Sequence, residues 1–475
     1  MRPLLIAGLL ALLVGLPPRA AASPGGRVEI GAPPEAPASS NRAAEPVGFD
    51  GEAEAVPDDW LSRHQSADGA WRERDLGSRC RDGRCLTGGG WEDDAGRTAL
   101  ALLAFVGYGE THRTPRYGRV VRRGFNFLKS AQSAEGFFTD RGYPRWLLNH
   151  ARASLAMAEI FQMTQSPLWK DPARRGVGLL LELQEPDGGW RCDDASPASD
   201  IESTMWALMA LRSAVQGGLR EVDPGVFERA LGFVDSVTDE GSGMALRTTL
   251  DPLPENPDRY TAMAAHSRVM AGSNPRRDRT FRRTVGVLAT NPPRSPDGDH
   301  QADPVYTYVG ALACYKAGGV PCFPSMGMEP GEWGVSAWRA WSNALKPAVL
   351  DHQNLDATGC RHGSWDPVPG TPDGESRIAT TALRVLSIEV YYRYSRVLGS
   401  KGPEATPAVT PGDDPKSDFG PGSGEAVPET RDLAGPRRAA PPAAAPSAIG
   451  PSLHRRNRLA ALRSAFPEPR TGFVP

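Results

Sequence analysis

The side chains able to do chemistry stand mostly at the heads of apolar helical stretches. Asp93 and Asp94 precede "TALALLAFVG", His150 and Arg152 stand at the head of "ARASLAMAEIF", and Asp200 and Glu202 precede "STMWALMALRSAV". Arg259 and Tyr260, Asp303 and Tyr306, and Arg377 occupy the same kind of position further on. A carboxylate there is ordinarily an N-cap or a partner of the helix dipole. Gathered at one end of a barrel, the same groups could hold a polar ligand, or form an acid/base pair if two converge on one substrate. Asp193, Asp194, Asp200 and Glu202 also offer four oxygens for calcium. His150 and His266, the latter inside "TAMAAHSRVM", read as buried structural histidines unless a carboxylate and a pocket lie beside them. Trp146 and Trp206 read as core or cavity wall, with stacking on a sugar ring open where they are exposed; Trp365 joins them ahead of the last apolar helix.

The elements that must position these groups repeat. A helical pattern, a Gln, an acidic-Gly turn with an aromatic and a second helical pattern recur as "WLSRHQSADGAW" (Trp60–Trp71), "FLKSAQSAEGFF" (Phe127–Phe138) and "LLELQEPDGGW" (Leu180–Trp190). Weaker copies begin at Phe233, Val285 and Val349, the last ending in Trp365. Repetition of one supersecondary unit is the signature of a closed or stacked array. Before the turn, Val121, Phe125 and Leu128 share one face while Arg122, Arg123, Asn126 and Lys129 share the other, which predicts an amphipathic outer helix. After the turn the pattern is apolar nearly all round, as in helices buried on every side. Alternation of the two kinds predicts two concentric rings of helices over residues 57–399, and the scarcity of strand patterns argues against an α/β fold. Asp68-Gly69, Glu135-Gly136 and Asp187-Gly188 supply residues tolerant of positive φ where the chain reverses.

Residues 1–22 read as a secretory signal: Arg2, an apolar run from Leu4 to Leu16, then Ala20-Ala21-Ala22. The run is shorter than the roughly 20 residues that span a bilayer, and no other stretch is apolar and long enough to do so. The mature chain is therefore expected to be exported, in the periplasm or outside the cell, and not transmembrane. Residues 23–56 and 400–475 are rich in Pro and Ala with few large apolar residues, which predicts disordered tails. Ser452–Phe466 alternates Arg with Leu and Ala, and reads as a frayed basic helix or a surface-binding one. Lys and Arg total 54 against 56 Asp and Glu, so no basic excess points to nucleic acid.

An even number of cysteines in an exported chain favours disulfides over zinc. Six are present. By proximity alone, Cys80 with Cys85 and Cys314 with Cys322 close small loops, leaving Cys192 to bridge to Cys360.

The Gln-to-aromatic unit resembles the QW motif of squalene and hopene cyclases, shared more loosely by protein prenyltransferases. From Trp60 to Leu398 the chain is most similar to secreted bacterial prenyltransferase/squalene-oxidase-repeat proteins, above all in "GSWDP…RIATTALRVLSIEVYYRY" (Gly363–Tyr394). The resemblance implies an all-α fold, an α/α toroid of six inner and six outer helices, with a central cavity entered where the inner helices begin. Fold does not carry function with it. The Asp-x-Asp-Asp acid of triterpene cyclases is absent; the nearest string is Glu92-Asp93-Asp94. Prenyltransferases hold zinc with Asp, Cys and His, and Cys192-Asp193 with Cys360 and His362 could assemble that set if two loops meet. The thioester string Gly-Cys-Gly-Glu-Gln of the complement toroids is absent too. Two readings follow: a binding or scaffold toroid of the cell envelope, or an enzyme at the cavity mouth acting on polysaccharide or terpenoid. A cavity of Ala, Leu and Met would favour a small apolar ligand; a mouth crowded with Arg, Asp and Trp would favour a glycan.

Overall fold

The computed structural model describes residues 57–85, 93–251, 257–294, 302–318, 332–371, 373 and 376–390. The expected signal, linker and C-terminal tail with its basic helix, and Cys322, lie outside the described residues. Among the described residues there are no strands, only two isolated bridges, Thr238 to Ala245 and Gln353 to Trp365.

Six helices form the inner ring: α3 (Asp94–Tyr108), α5 (Trp146–Thr164), α7 (Ile201–Gln216), α9 (Pro257–Ala271), α11 (Pro304–Gly318) and α13 (Arg377–Ile388). Each packs on the next, and α13 returns to α3, so the ring is closed. The outer ring is α1 (Pro57–Arg63), α4 (Gly118–Ala131), α6 (Pro167–Glu182), α8 (Gly225–Val237), α10 (Arg279–Thr290) and α12 (Glu332–Leu350); the short α2 (Leu76–Arg79) lies in the connection from α1 to α3. The two rings differ as the sequence pattern requires. Every residue of α5 from Trp146 to Phe161 is buried, whereas α4 buries only Gly118, Val121, Gly124, Phe125 and Leu128. The chain is an all-α toroid.

The repeat motif is the joint between the rings. In three copies the glutamine Nε2 donates both to a carbonyl of its own turn and to one on the next outer helix: Gln65 to Gly69 and Val120, Gln132 to Gly136 and Pro172, Gln184 to Gly188 and Val226. The tryptophans span the other gap. Trp71, Trp190 and Trp365 donate from Nε1 to Leu61, Leu180 and Val349 on the preceding outer helix. Their backbone N–H groups donate to Thr98, Thr204 and Thr381 on the inner helix. An arginine of the next outer helix then closes the turn: Arg123 donates to Ser66 and Ala67 carbonyls, Arg175 to Ser133, and Arg229 to the Gln184 side chain.

Gln184→Glu should therefore be costly. It replaces an amide donor to two carbonyls by a carboxylate facing them, and an expected loss of about 2–3 kcal/mol would be read by urea unfolding.

Candidate functional site at the mouth of the inner ring

Four heads of the inner helices carry side-chain caps, of which Asp93 and Asp200 are offered by the sequence pattern. Asp93 accepts from Gly96 N, Asp200 from Glu202 N and Ser203 N, Asp303 from Val305 N, and Ser376 from Ala379 N. Side chains from three of the inner helices, α5, α7 and α9, and from the loops that lead into α5, α11 and α13 meet in one buried cluster. Arg152 holds Asp373 through two hydrogen bonds, 2.9 and 2.7 Å, and reaches Glu202 at 3.3 Å. Arg145 donates to Glu202 at 3.0 Å and lies 3.8 Å from Asp373. Arg259 stands 3.7 Å from Glu202 and 3.3 Å from Asp303. Three arginines thus neutralise three carboxylates. The guanidinium of Arg152 lies over the ring of Trp206, 5.0 Å from its centroid, and Trp206 packs toward Tyr308 below.

Arg145 is placed with effort. Its φ of 59° is left-handed, which costs a non-glycine residue about 1 kcal/mol. Its N–H is held by Asp193 Oδ2 at 3.0 Å, and Leu147 N–H by the Cys192 carbonyl. The loop before α7 therefore aims Arg145 into the cluster.

The electrostatics divide the acids. Burial alone would raise Glu202, but Arg145, Arg259 and Arg152 outweigh it and hold it below the usual carboxylate range. Asp373 is likewise raised by burial and lowered further by Arg152 and Arg145, with the same net direction. Asp93 goes the other way: burial raises it, and its backbone hydrogen bonds only partly compensate. Burial raises Asp200 as well, against Arg247, to which it is hydrogen-bonded. Beside the cluster is a recess of about 30 Å³, lined by Asp93, Arg97, Arg145, Asn149, Arg152, Asp373 and Ser376 with the apolar Leu100, Pro144 and Ala379. That volume suits one or two waters, or a group of similar size.

Of the residues singled out in sequence, Asp93, Arg152, Glu202, Arg259 and Asp303 meet at this mouth, with Trp206 beneath them and Asp200 beside them. Tyr260 is half-buried near Arg247. The others are elsewhere. Asp94 turns outward to Arg72 and Arg74. His150 is fully buried in the second repeat joint: Phe138 N–H points at its Nδ1, and its Nε2 lies 3.1 Å from Gly176 O. Burial lowers it to about 4, so it is neutral. It takes the place that threonine fills in other repeats. His266 is buried in α9, some two turns past its start. Tyr306 donates to the Asn291 carbonyl and meets Trp341 edge-on between α11 and α12. Trp365 belongs to the sixth joint, and Arg377 binds Ser364, the Trp365 carbonyl and Asp366. Sequence reading missed Arg145 and Asp373, both in loops without periodicity. It also missed Arg384, fully buried in α13, which burial lowers to about 10 and which donates to Thr307 and the Ala302 carbonyl.

Asp193 binds Arg145 N–H and Ser196, Asp194 pairs with Arg141, Asp200 with Arg247, and Glu202 with Arg145 and Arg152. The four carboxylates offered for calcium thus have arginine side chains, a backbone N–H or Ser196 as partners. Among the described residues no disulfide joins Cys80, Cys85, Cys192, Cys314 and Cys360, and Cys80 and Cys85 stand side by side. Cys192 stays buried beside α7, and burial pushes its thiol up to about 11. Cys360 meets neither Cys192 nor His362 in a ligand set. Among the described residues it groups with His64, Cys80 and Cys85.

No family model matches the chain. Its fold is similar to the α-1,6-mannanase GH76A of Salegentibacter sp. HEL1_6, at 11% identity and a TM-score of 0.47, covering 70% of this chain and 98% of that one. It is similar to cellobiose 2-epimerase of Bacillus thermoamylovorans B4167, at 11% identity and a TM-score of 0.45, covering 69% and 94%. It is also similar to the type II terpene cyclase MstE of Scytonema, at 12% identity and a TM-score of 0.41, covering 71% and 96%. All three are α/α toroids. At these identities the likeness concerns the fold alone.

Proposed function

We propose that this chain is an exported toroid of the cell envelope, of the secreted prenyltransferase/squalene-oxidase-repeat kind, that binds a glycan at its mouth. The observation that carries the reading is the mixed lining of the recess. Arg97, Arg145, Arg152 and Asn149 present donors beside the acceptors Asp93 and Asp373. A sugar hydroxyl both donates and accepts, so a site holding both kinds of partner suits it better than an apolar tail or a simple anion. The recess takes one hydroxyl or hydroxymethyl, with the rest of the glycan outside it. Binding without turnover is supported by the state of the central acids. Glu202 and Asp373 are locked to arginines, and an opposite charge favours the carboxylate over the protonated acid that a general acid must be.

One observation favours the second reading, an acid/base enzyme. Asp93 is raised and Asp373 lowered, and both line the same recess; environments that push two carboxyls apart are how acid and base roles are divided. One experiment separates the two. The full mature chain is screened on an oligosaccharide array, and its best ligand is then incubated with wild type and Asp93→Asn, which keeps a capping oxygen. Binding weakened about tenfold by Arg97→Met, one charged hydrogen bond's worth, with the glycan mass unchanged, supports the binding reading. Cleavage by wild type that Asp93→Asn abolishes replaces it with the enzyme. No glycan bound at millimolar concentration, with a polyprenyl lipid bound instead, overturns both.

A further inference from the structure

The first and last repeats meet along a seam where α1 packs on α13. Three sulfurs and an imidazole converge there. The ligand atoms of His64, Cys80, Cys85 and Cys360 all lie within 4.8 Å of one another. A tetrahedral zinc, at about 2.3 Å to sulfur and about 2.0 Å to nitrogen, places its ligand atoms roughly 3.5–3.8 Å apart. His64 Nε2 and Cys360 Sγ already stand 3.4 Å apart. Small rotations of the side chains complete the tetrahedron.

The surroundings position three of the four ligands, His64, Cys80 and Cys360, and the Cys80 thiol also donates to Asp82 Oδ1 at 3.1 Å. His64 Nδ1 lies 2.8 Å from the Trp60 carbonyl, and the imidazole stacks on the Trp60 ring with centroids 4.3 Å apart. Donating from Nδ1 leaves the Nε2 lone pair aimed at the sulfurs, the outer-shell arrangement of metal-bound histidines. Arg81 N–H points at Cys360 Sγ at 3.4 Å, and Cys85 N–H at Cys80 Sγ at 3.3 Å. Such donors stabilise thiolates. Cys80 and Cys85 sit on one tight loop whose turn uses Gly83 at φ +71°. Asp82 fastens that loop to the distant one: its Oδ2 accepts from Cys360 N–H at 2.9 Å and its Oδ1 from Arg84 N–H at 3.0 Å.

We infer that His64, Cys80, Cys85 and Cys360 form a structural zinc site that clips the sixth repeat to the first. Binding one Zn²⁺ releases the three thiol protons to solvent and leaves a site of net charge −1, with Arg63 and the Asp82 carboxylate as its charged neighbours. Four protein ligands fill the tetrahedron, so no position remains for a water or a substrate, as in structural rather than catalytic zinc sites. The clip joins residues 296 apart in sequence. A link across so long a loop removes much chain entropy from the unfolded state.

The test uses the full chain, purified without chelator. Metal analysis is expected to give about one zinc per chain, and replacement by Co²⁺ the intense visible bands of a tetrahedral thiolate site. Cys360→Ser should lower zinc to a small fraction of one per chain, whereas His64→Cys, which keeps four ligands, should retain it. If Cys360→Ser fails to fold, the cobalt spectrum of the wild-type chain and its shift in His64→Cys decide the matter. A metal-free chain two hydrogens lighter, with Cys80 bonded to Cys85, overturns the site. So does zinc that both Cys85→Ser and Cys360→Ser leave in place.

Discussion

Arg152→Met is expected to lower the stability of the folded chain by about 3–5 kcal/mol, the cost of leaving buried carboxylates without their partner. Arg152 is 2% exposed and is the only residue that grips Asp373 through two hydrogen bonds among the described residues. Without it the Asp373 carboxylate keeps Arg145 at 3.8 Å and the more distant charge of Arg259 among the described residues, and Glu202 loses one of its three arginines. The pH dependence gives the prediction its particular form. Both carboxyls are held below their unfolded values, near about 4, so the stability they contribute is fully present above that value. It is lost as pH falls through the lower, folded values. In Arg152→Met the depression shrinks, and so does the penalty for protonating the acids. The deficit relative to wild type, read from urea unfolding between pH 7 and pH 3, should thus be largest at neutral pH and narrow on acidification. A deficit equal at every pH would mean that Arg152 contributes packing on Trp206 rather than charge. The double variant Arg152→Met with Asp373→Asn should recover about 1–3 kcal/mol of the single variant's loss, because the two residues act as a pair.

The ring fold was legible because each member of the repeat has a local physical task that constrains residue type. Gln184 must offer two donors, Gly188 must adopt positive φ, and Trp190 must carry both a large apolar body and one N–H. The fourth copy lacks glutamine and tryptophan at these places, yet Asp239 N–H still bonds the Met244 carbonyl and Ala245 N–H still meets a threonine, Thr261. The backbone turn survives loss of the motif, which is why the copy read as degraded rather than absent. The site was less legible for a different reason. Helix heads announce Glu202, Arg259 and Asp303 by their position before apolar runs. Arg145 and Asp373 enter from loops, where no periodicity says which way a side chain points. The cysteines were legible only where they lie close in sequence. Pairing by proximity put Cys80 with Cys85 and left Cys360 for Cys192, but ring closure carries Cys360 back to the first repeat instead. A closed ring makes its two ends neighbours, and nothing local in either end records that.

The other large effect concerns two glycines ten residues apart, for which opposite signs are expected. Gly188→Ala should destabilise the chain by about 3–5 kcal/mol, while Gly178→Ala should stabilise it by about 0.5–1 kcal/mol. Gly188 sits at φ +90°, where a side chain is strained in any surroundings, and its added methyl would stand 2.0 Å from the Arg229 carbonyl oxygen of α8. Backbone cannot yield as a side-chain tip does, so α8 must move away. That movement breaks the Gln184 bond to Val226 and the Arg229 bond to Gln184 as well. The same approach recurs at Gly69 against Arg123, at Gly136 against Arg175 and at Gly243 against Arg283, so the glycine is the place where one repeat touches the next outer helix. Gly178 lies within α6, where an added methyl meets nothing within 4 Å, and alanine there only restricts the unfolded chain. Urea midpoints of the two variants should move to opposite sides of wild type. If Gly188→Ala lost no more than an ordinary surface change, the repeats would be held together by the buried tryptophans alone, and the glutamine–glycine turn would be a connector rather than a joint.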